Sequence, residues 1–222
     1  MIKHPGIIDN TIELPGRCYA IRMMPHEVDI ADIHDKWDQA YADAMKLIVD
    51  GNVDEGKEIL EELYRRKYNR AGHTLSYGYG AGWFGEPDLK KYLSLVYALV
   101  LKGYSAAFSD YGFCYDCGIG VKKSMRWALY WYRKAADYDD EEAQNILGLC
   151  YEEGIGVLKD YEKAYYWFQL AVKNGAGACA EHNLARCFRL GRGISEDKEM
   201  ANKYEALAVK HGFHKKDKGT VI

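Results

Sequence analysis

The feature that most constrains this sequence is an internal repeat of about 36 residues. Residues 147–175 align with residues 111–139 at a shift of 36, so that glycine, tyrosine and tryptophan fall on residues of the same type. A third copy follows at a shift of 37 and places Leu184, Phe188 and Gly191 on the same template. Periods of this length are typical of proteins in which each unit is one supersecondary structure that packs on the next.

Each copy has the pattern of two α-helices joined by a glycine turn. Ala164, Trp167, Phe168 and Ala171 keep helical spacing on the second helix, which predicts an apolar face that packs on the first. Gly148 is predicted to oppose Ala164 where the two helices approach most closely. Gly154 is predicted to end the first helix in the left-handed conformation.

Candidate helix caps recur at the same interval. They are Asn52, Asp88, Ser124, Asp160 and Asp197. Seven residues after each cap stands a large side chain that is predicted to face the core. These residues are Ile59, Leu95, Trp131, Trp167 and Tyr204.

The segment LGLCYEEGIGVLKDYEKAYYWFQLAV, residues 147–172, resembles the Sel1-like repeat (SLR), a relative of the tetratricopeptide repeat. The resemblance implies an all-α fold, an α-solenoid of about five antiparallel helix pairs in a right-handed superhelix. We expect a short extended or hairpin N-terminal segment at residues 1–30 and a repeat domain at residues 31–213, followed by a basic tail at residues 214–222. The expected units are 31–68, 69–104, 105–140, 141–176 and 177–213.

A glycine cluster, Gly80-x-Gly82-x-x-Gly85, has the spacing of a dinucleotide-binding loop. Such a loop follows a β-strand and directly opens a helix. Here a shift of 72 residues places Gly82 on Gly154, so we interpret the cluster as a degenerate repeat turn. We expect no cofactor.

The composition argues against several classes of function. The net charge of −3 gives no general reason to bind nucleic acid or a membrane surface. No apolar segment is long enough to span a bilayer, and the N-terminus lacks a secretory signal, so we expect a cytoplasmic protein.

The cysteines do not read as a disulfide framework. Cys114, Cys150 and Cys187 share one repeat position, where a small buried packing residue is expected. The resemblance implies that secreted relatives carry a second cysteine in each unit, and that regular partner is missing here, which favours a reduced compartment. Cys114-x-x-Cys117 is interpreted as structural, because no second ligand pair accompanies it.

An enzyme is not expected. Potential metal ligands collect near His26 and His34, but their spacing matches no metal-binding motif. A metal-dependent enzyme that uses this N-terminal His/Asp cluster is kept as an alternative hypothesis, because the ligand types are present although the spacing is not.

The resemblance implies that the first helix of each pair lines a concave groove and binds a protein or peptide. The groove would be acidic in its middle and basic toward its C-terminal end, with exposed Tyr77 and Phe113 as anchors. The alternative is a dedicated inhibitor or immunity protein, and both a monomer and a homodimer stay open. The candidate partner-binding residues are His73, Tyr77, Ser109, Phe113, Asp116, Asn145, Leu149, Glu152, Glu153, His182, Arg186 and Arg189.

Overall fold

The structure is a computed structural model that describes residues 36–213, and within this range the chain forms ten α-helices and no β-strand. The helices are α1 (Lys36–Val49), α2 (Val53–Arg65), α3 (Asn69–Ala81), α4 (Leu89–Leu101), α5 (Ala106–Cys117), α6 (Met125–Ala136), α7 (Glu141–Glu153), α8 (Tyr161–Lys173), α9 (Gly177–Leu190) and α10 (Lys198–Lys210). The all-α fold predicted from the sequence is confirmed. The expected N-terminal segment and basic tail lie outside the described residues.

The described chain divides into two compact units, and the boundary falls within α5. Unit 1 comprises residues 36–111 and 119–121, and unit 2 comprises residues 112–118 and 122–213. In each unit a helix packs against the helices that precede and follow it in the chain, as α1, α2, α3 and α4 do in unit 1. This serial packing is the arrangement of an α-solenoid.

The core of unit 1 forms where α1 and α2 approach closely. A Cβ atom added to Gly56 would lie 2.6 Å from the carbonyl oxygen of Ala44, so only glycine permits this approach. Met45 and Leu60 are fully buried beside the contact. The structure thus has a closely packed helix pair, α1 and α2, in this part of the chain.

The core of unit 2 is centred on Phe168 in α8, which is 0% exposed and packs in a cluster with Leu149 and Leu184. A Cβ atom on Gly148 would lie 2.5 Å from the Phe168 ring. Gly148 is therefore small because it lies against this ring. In the preceding repeat a Cβ atom on Gly112 would meet both the Tyr132 ring and the carbonyl oxygen of Ala128, the residue equivalent to Ala164, and the pairing of Gly148 with Ala164 stays a prediction.

The large buried side chain of the second helices lies one residue after the predicted position seven. Trp131 and Trp167, seven residues after their caps, are only half-buried, whereas Tyr132 and Phe168, eight residues after the caps, are fully buried. The buried stripe lies four, eight and eleven residues after the first four caps, which is helical spacing, whereas the residue eight after Asp197 is the half-buried Glu205. Position seven lies at the edge of that stripe, because each residue advances the helix by about 100°.

The predicted caps are confirmed at four positions and wrong at one. The side chains of Asp88, Ser124, Asp160 and Asp197 accept hydrogen bonds from backbone N–H groups in the first turns of α4, α6, α8 and α10. Asn52 precedes α2 but makes no side-chain cap hydrogen bond.

We expect Asp197→Ala to lower the free energy of unfolding by about 1 kcal/mol, because the Met200 N–H loses the cap oxygen at 2.9 Å. Asn52→Ala is the matched control and should change it by less than about 0.5 kcal/mol, because no cap bond is lost. Urea denaturation of the two variants measures both effects. Equal losses at the two positions would contradict the cap assignment.

The glycine cluster at residues 80–85 belongs to a helix end and its turn. Gly82 has a φ of +77° and ends α3, as Gly154 with a φ of +74° ends α7. Because a helix precedes this cluster, the local structure is not that of a strand-to-helix phosphate loop. The interpretation as a repeat turn is confirmed.

Among the ten described helices, none is both long and apolar enough to cross a lipid bilayer.

Candidate partner-binding surface

In unit 1 the candidate residues lie in a polar cluster between α3 and α5. The carboxylate of Asp110 lies 2.7 Å from Nε2 of His73 and accepts a hydrogen bond of 2.8 Å from the Tyr77 hydroxyl. The His73 ring meets the rings of Tyr77 and Tyr104 edge to face, at 4.9 and 5.6 Å between centroids. Burial raises the pKa of Tyr104 above its ordinary value. These contacts fix His73 and Tyr77, which are only partly exposed.

Asp110 is a residue of this cluster that the sequence did not single out. It occupies the repeat position that holds Ile146 in the next copy and Asn183 in the last, and all three are buried. The signal that could have identified Asp110 was a polar residue at a repeat position that is buried in the other copies. A buried polar group needs a hydrogen-bonding partner, so a contact such as that with His73 was to be expected.

In unit 2 the central feature is the carboxylate of Glu152, which is 0% exposed. It accepts a hydrogen bond from Nη2 of Arg186 and another, of 2.8 Å, from Nη1 of Arg192. The two arginine side chains are 29% and 32% exposed. Burial, followed by the repulsion of Arg192, lowers the pKa of Arg186 from its ordinary value.

A second set of polar contacts joins α9 to its neighbours. Nδ2 of Asn183 donates to Oδ1 of Asn145 at 2.9 Å. Glu205 of α10 lies 3.1 Å from Nδ1 of His182 and accepts a hydrogen bond of 3.3 Å from Arg189. The candidate residues of unit 2 are thus held by partners inside the chain.

Five candidates expected to be exposed are buried, and this expectation is corrected. They are Phe113, Asp116, Asn145, Leu149 and Glu152. The main physical reason is that α7 packs on nearly all sides, since residues 143–150 and Glu152 are all buried. Phe113 cannot serve as an exposed anchor.

The accessible candidates are fewer than the sequence predicts. Glu153 is exposed, and His73, Tyr77, Ser109, His182, Arg186 and Arg189 are partly exposed. Because Asp116 and Glu152 are buried, the acidic middle of the expected groove is reduced to Glu153. Whether the candidates bind a partner stays a prediction.

Arg192 is a further residue that the sequence did not single out. It follows Gly191, the left-handed residue that ends α9, and the turn brings its guanidinium to Glu152, 40 residues earlier. No local pattern marks that distant contact.

The cysteine column is confirmed as buried packing. Cys114, Cys150 and Cys187 are reduced thiols with almost no exposed surface. Burial raises the pKa of the Cys187 thiol to about 11, so this thiol is protonated at neutral pH and unreactive. Cys179 differs, because it is disulfide-bonded, which the cysteine spacing did not predict.

Among residues 36–213 no group of three or more His, Cys, Asp or Glu side chains is arranged to hold a metal ion. The His/Asp cluster at residues 26–35 lies outside the described range, so the metal-site hypothesis stays a prediction.

The helix pairs and their buried stripes define a helical repeat protein of the α-solenoid class. Residues 109–139, 141–175 and 180–213 match the Sel1 repeat. These three segments are therefore similar to Sel1 repeats, as the resemblance in the sequence implied.

Solved structures share this fold. One is a protective antigen present in uropathogenic Escherichia coli strains that has an SLR fold. It is 29% identical to this chain with a TM-score of 0.64, and the match covers 71% of this chain and 33% of that protein. The present chain thus spans about a third of that protein. A Sel1 repeat protein from Oxalobacter formigenes is 24% identical at a TM-score of 0.70, over 78% of this chain and 70% of its own.

An immunity protein from Pseudomonas aeruginosa is more distant, at 20% identity and a TM-score of 0.49 over 80% of this chain and 83% of its own. No curated protein shows significant sequence similarity to the chain.

Proposed function

We propose that the protein is a non-catalytic scaffold that binds a partner protein through the accessible residues of α9 and the turn after it. Sel1 repeats generally mediate protein–protein interactions. The observation that carries the proposal is the fixed position of three arginines in unit 2: Arg186 and Arg192 on Glu152, and Arg189 on Glu205.

Preorganised side chains favour binding, because less rotamer freedom is lost when the partner arrives. Arginine is also enriched at protein interfaces and among the residues that contribute most to affinity. The two positive charges of Arg186 and Arg192 exceed the single negative charge of Glu152. The surface therefore favours a segment that supplies carboxylate or carbonyl oxygens.

The test is affinity capture from native lysate with the wild-type protein and two variants of equal charge change. Arg189→Glu alters the proposed surface, whereas Lys203→Glu alters an exposed residue of α10. We expect Arg189→Glu to reduce recovery of a specific partner about tenfold, while Lys203→Glu retains it. Equal recovery with all three proteins would contradict the proposed surface, and calorimetry with the purified partner checks direct binding.

The other hypotheses are not favoured by the described residues. The immunity-protein match is too distant to support an inhibitor function. The metal-dependent enzyme depends on residues near His26 and His34, and metal analysis of the purified protein tests it.

A further inference from the structure

A cavity of about 390 Å³ lies in unit 1 among α2, α3 and α4. The rings of Tyr64 and Tyr79 and the aliphatic side chains of Leu75 and Leu95 line it. Arg65 and Lys91 also line it, and their side chains are 70% and 58% exposed, so the cavity reaches solvent. Its volume lies within the range of small-molecule binding pockets, about 300–1,000 Å³.

The cavity exists where this helix pair departs from the repeat template. Ser94 and Leu95 of α4 occupy the positions that hold Tyr130 and Trp131 in α6. One repeat later these positions are again a tyrosine and a tryptophan, residues 166 and 167. The next two repeats thus place an indole ring where α4 has a smaller side chain, and the last repeat has Lys203 and Tyr204 there. Space is left beside Leu95.

Positive charge surrounds the aromatic walls. The ammonium groups of Lys57 and Lys91 lie 5.4 and 4.7 Å from the centroid of the Tyr79 ring, and that of Lys102 lies 4.0 Å from the Tyr64 ring. Such contacts are favourable cation–π interactions.

The acidic groups nearby are mostly engaged. Glu62 is paired with Arg65, and Asp88 lies 3.8 Å from Lys91. Glu61 lines the cavity and lies 3.3 Å from the Tyr79 hydroxyl that donates to it. Arg65 and Lys91 are thus partly neutralised, whereas Lys57 and Lys102 lie over the aromatic rings, and these four cations against the three carboxylates leave one net positive charge around the lining.

We propose that this cavity binds an aromatic side chain of a partner protein that has acidic residues next to it in sequence. The aromatic ring takes the place that an indole has in the next two repeats and contacts Tyr79 and Leu95. The neighbouring carboxylates meet Lys57 and Lys91. The site involves unit 1 alone and stands independently of the proposed function of α9.

The test uses the full chain, labelled with ¹⁵N, and the blocked peptide Gly-Asp-Trp-Glu-Gly as the probe. We expect saturable chemical-shift changes at Tyr79, Ser94 and Leu95. The double variant Ser94→Tyr, Leu95→Trp gives α4 the residues of α6 and fills the cavity. It should bind the peptide at least about tenfold more weakly. Its circular dichroism and melting midpoint should match the wild type, which separates loss of binding from loss of folding.

A charge variant tests the acidic preference. Lys91→Glu should weaken binding of the Asp-Trp-Glu peptide and leave binding of a Lys-Trp-Lys peptide unchanged or stronger. Lys90→Glu, the adjacent exposed residue, is the matched control and should change neither.

Three results would overturn the proposal: no shift changes at millimolar peptide, equal affinity for the filled variant, or equal binding of the acidic and basic peptides by the wild type. A wild-type dimer that the filled variant abolishes would also overturn it, because a second copy of this chain would then occupy the cavity.

Discussion

Replacing Phe168 with alanine is expected to destabilise the protein by about 3–5 kcal/mol. Its ring is fully buried, lies against Gly148 and packs with Leu149 and Leu184. Alanine would leave a cavity that the two leucines cannot fill, because the helices are held apart by their other contacts. The shift of the urea denaturation midpoint, together with its slope, measures the loss.

Two neighbours of Phe168 serve as controls. Tyr166 is 55% exposed, and Tyr166→Ala should change the free energy of unfolding by less than about 0.5 kcal/mol. Trp167→Ala should cost less than Phe168→Ala, since Trp167 is only half-buried. A larger loss for Trp167→Ala would mean that the core-facing side of α8 is assigned wrongly.

Replacing Glu152 with alanine is expected to cost about 2–4 kcal/mol, because it leaves two partly buried arginines without their common acceptor. The value is smaller than for a fully buried triad, since Arg186 and Arg192 are 29% and 32% exposed and water compensates part of the loss.

Glu153→Ala is the matched control, because the next residue is exposed and the charge change is the same. It should change the free energy of unfolding by less than about 0.5 kcal/mol. Chemical denaturation of the two variants measures the difference. Similar values for both would show that the Glu152 carboxylate contributes no more than a surface charge.

The helix pairs and turns could be predicted because their signals are local. Asp197 and Gly154 act within one turn of the chain, as a cap and as a left-handed helix end. Which of Trp167 and Phe168 is fully buried could not be predicted, because residues 165–168 are all aromatic and both side chains lie on the predicted face.

The candidate surface was less predictable, because burial there depends on contacts between successive repeats. Glu152 and Arg186 were both expected to be exposed, yet they pair with each other across 34 residues. The period of the sequence aligns equivalent positions but does not indicate which side chains of neighbouring repeats meet.

The three cysteines that share one repeat position can be used to measure how often each repeat opens locally. Cys114, Cys150 and Cys187 lie one to a repeat and are shielded from solvent. A thiol reagent in the native state therefore reacts with each only after its repeat transiently separates from its neighbours. The three labelling rates, resolved by peptide mass spectrometry, rank the local stabilities of consecutive repeats and show whether the array frays from one end.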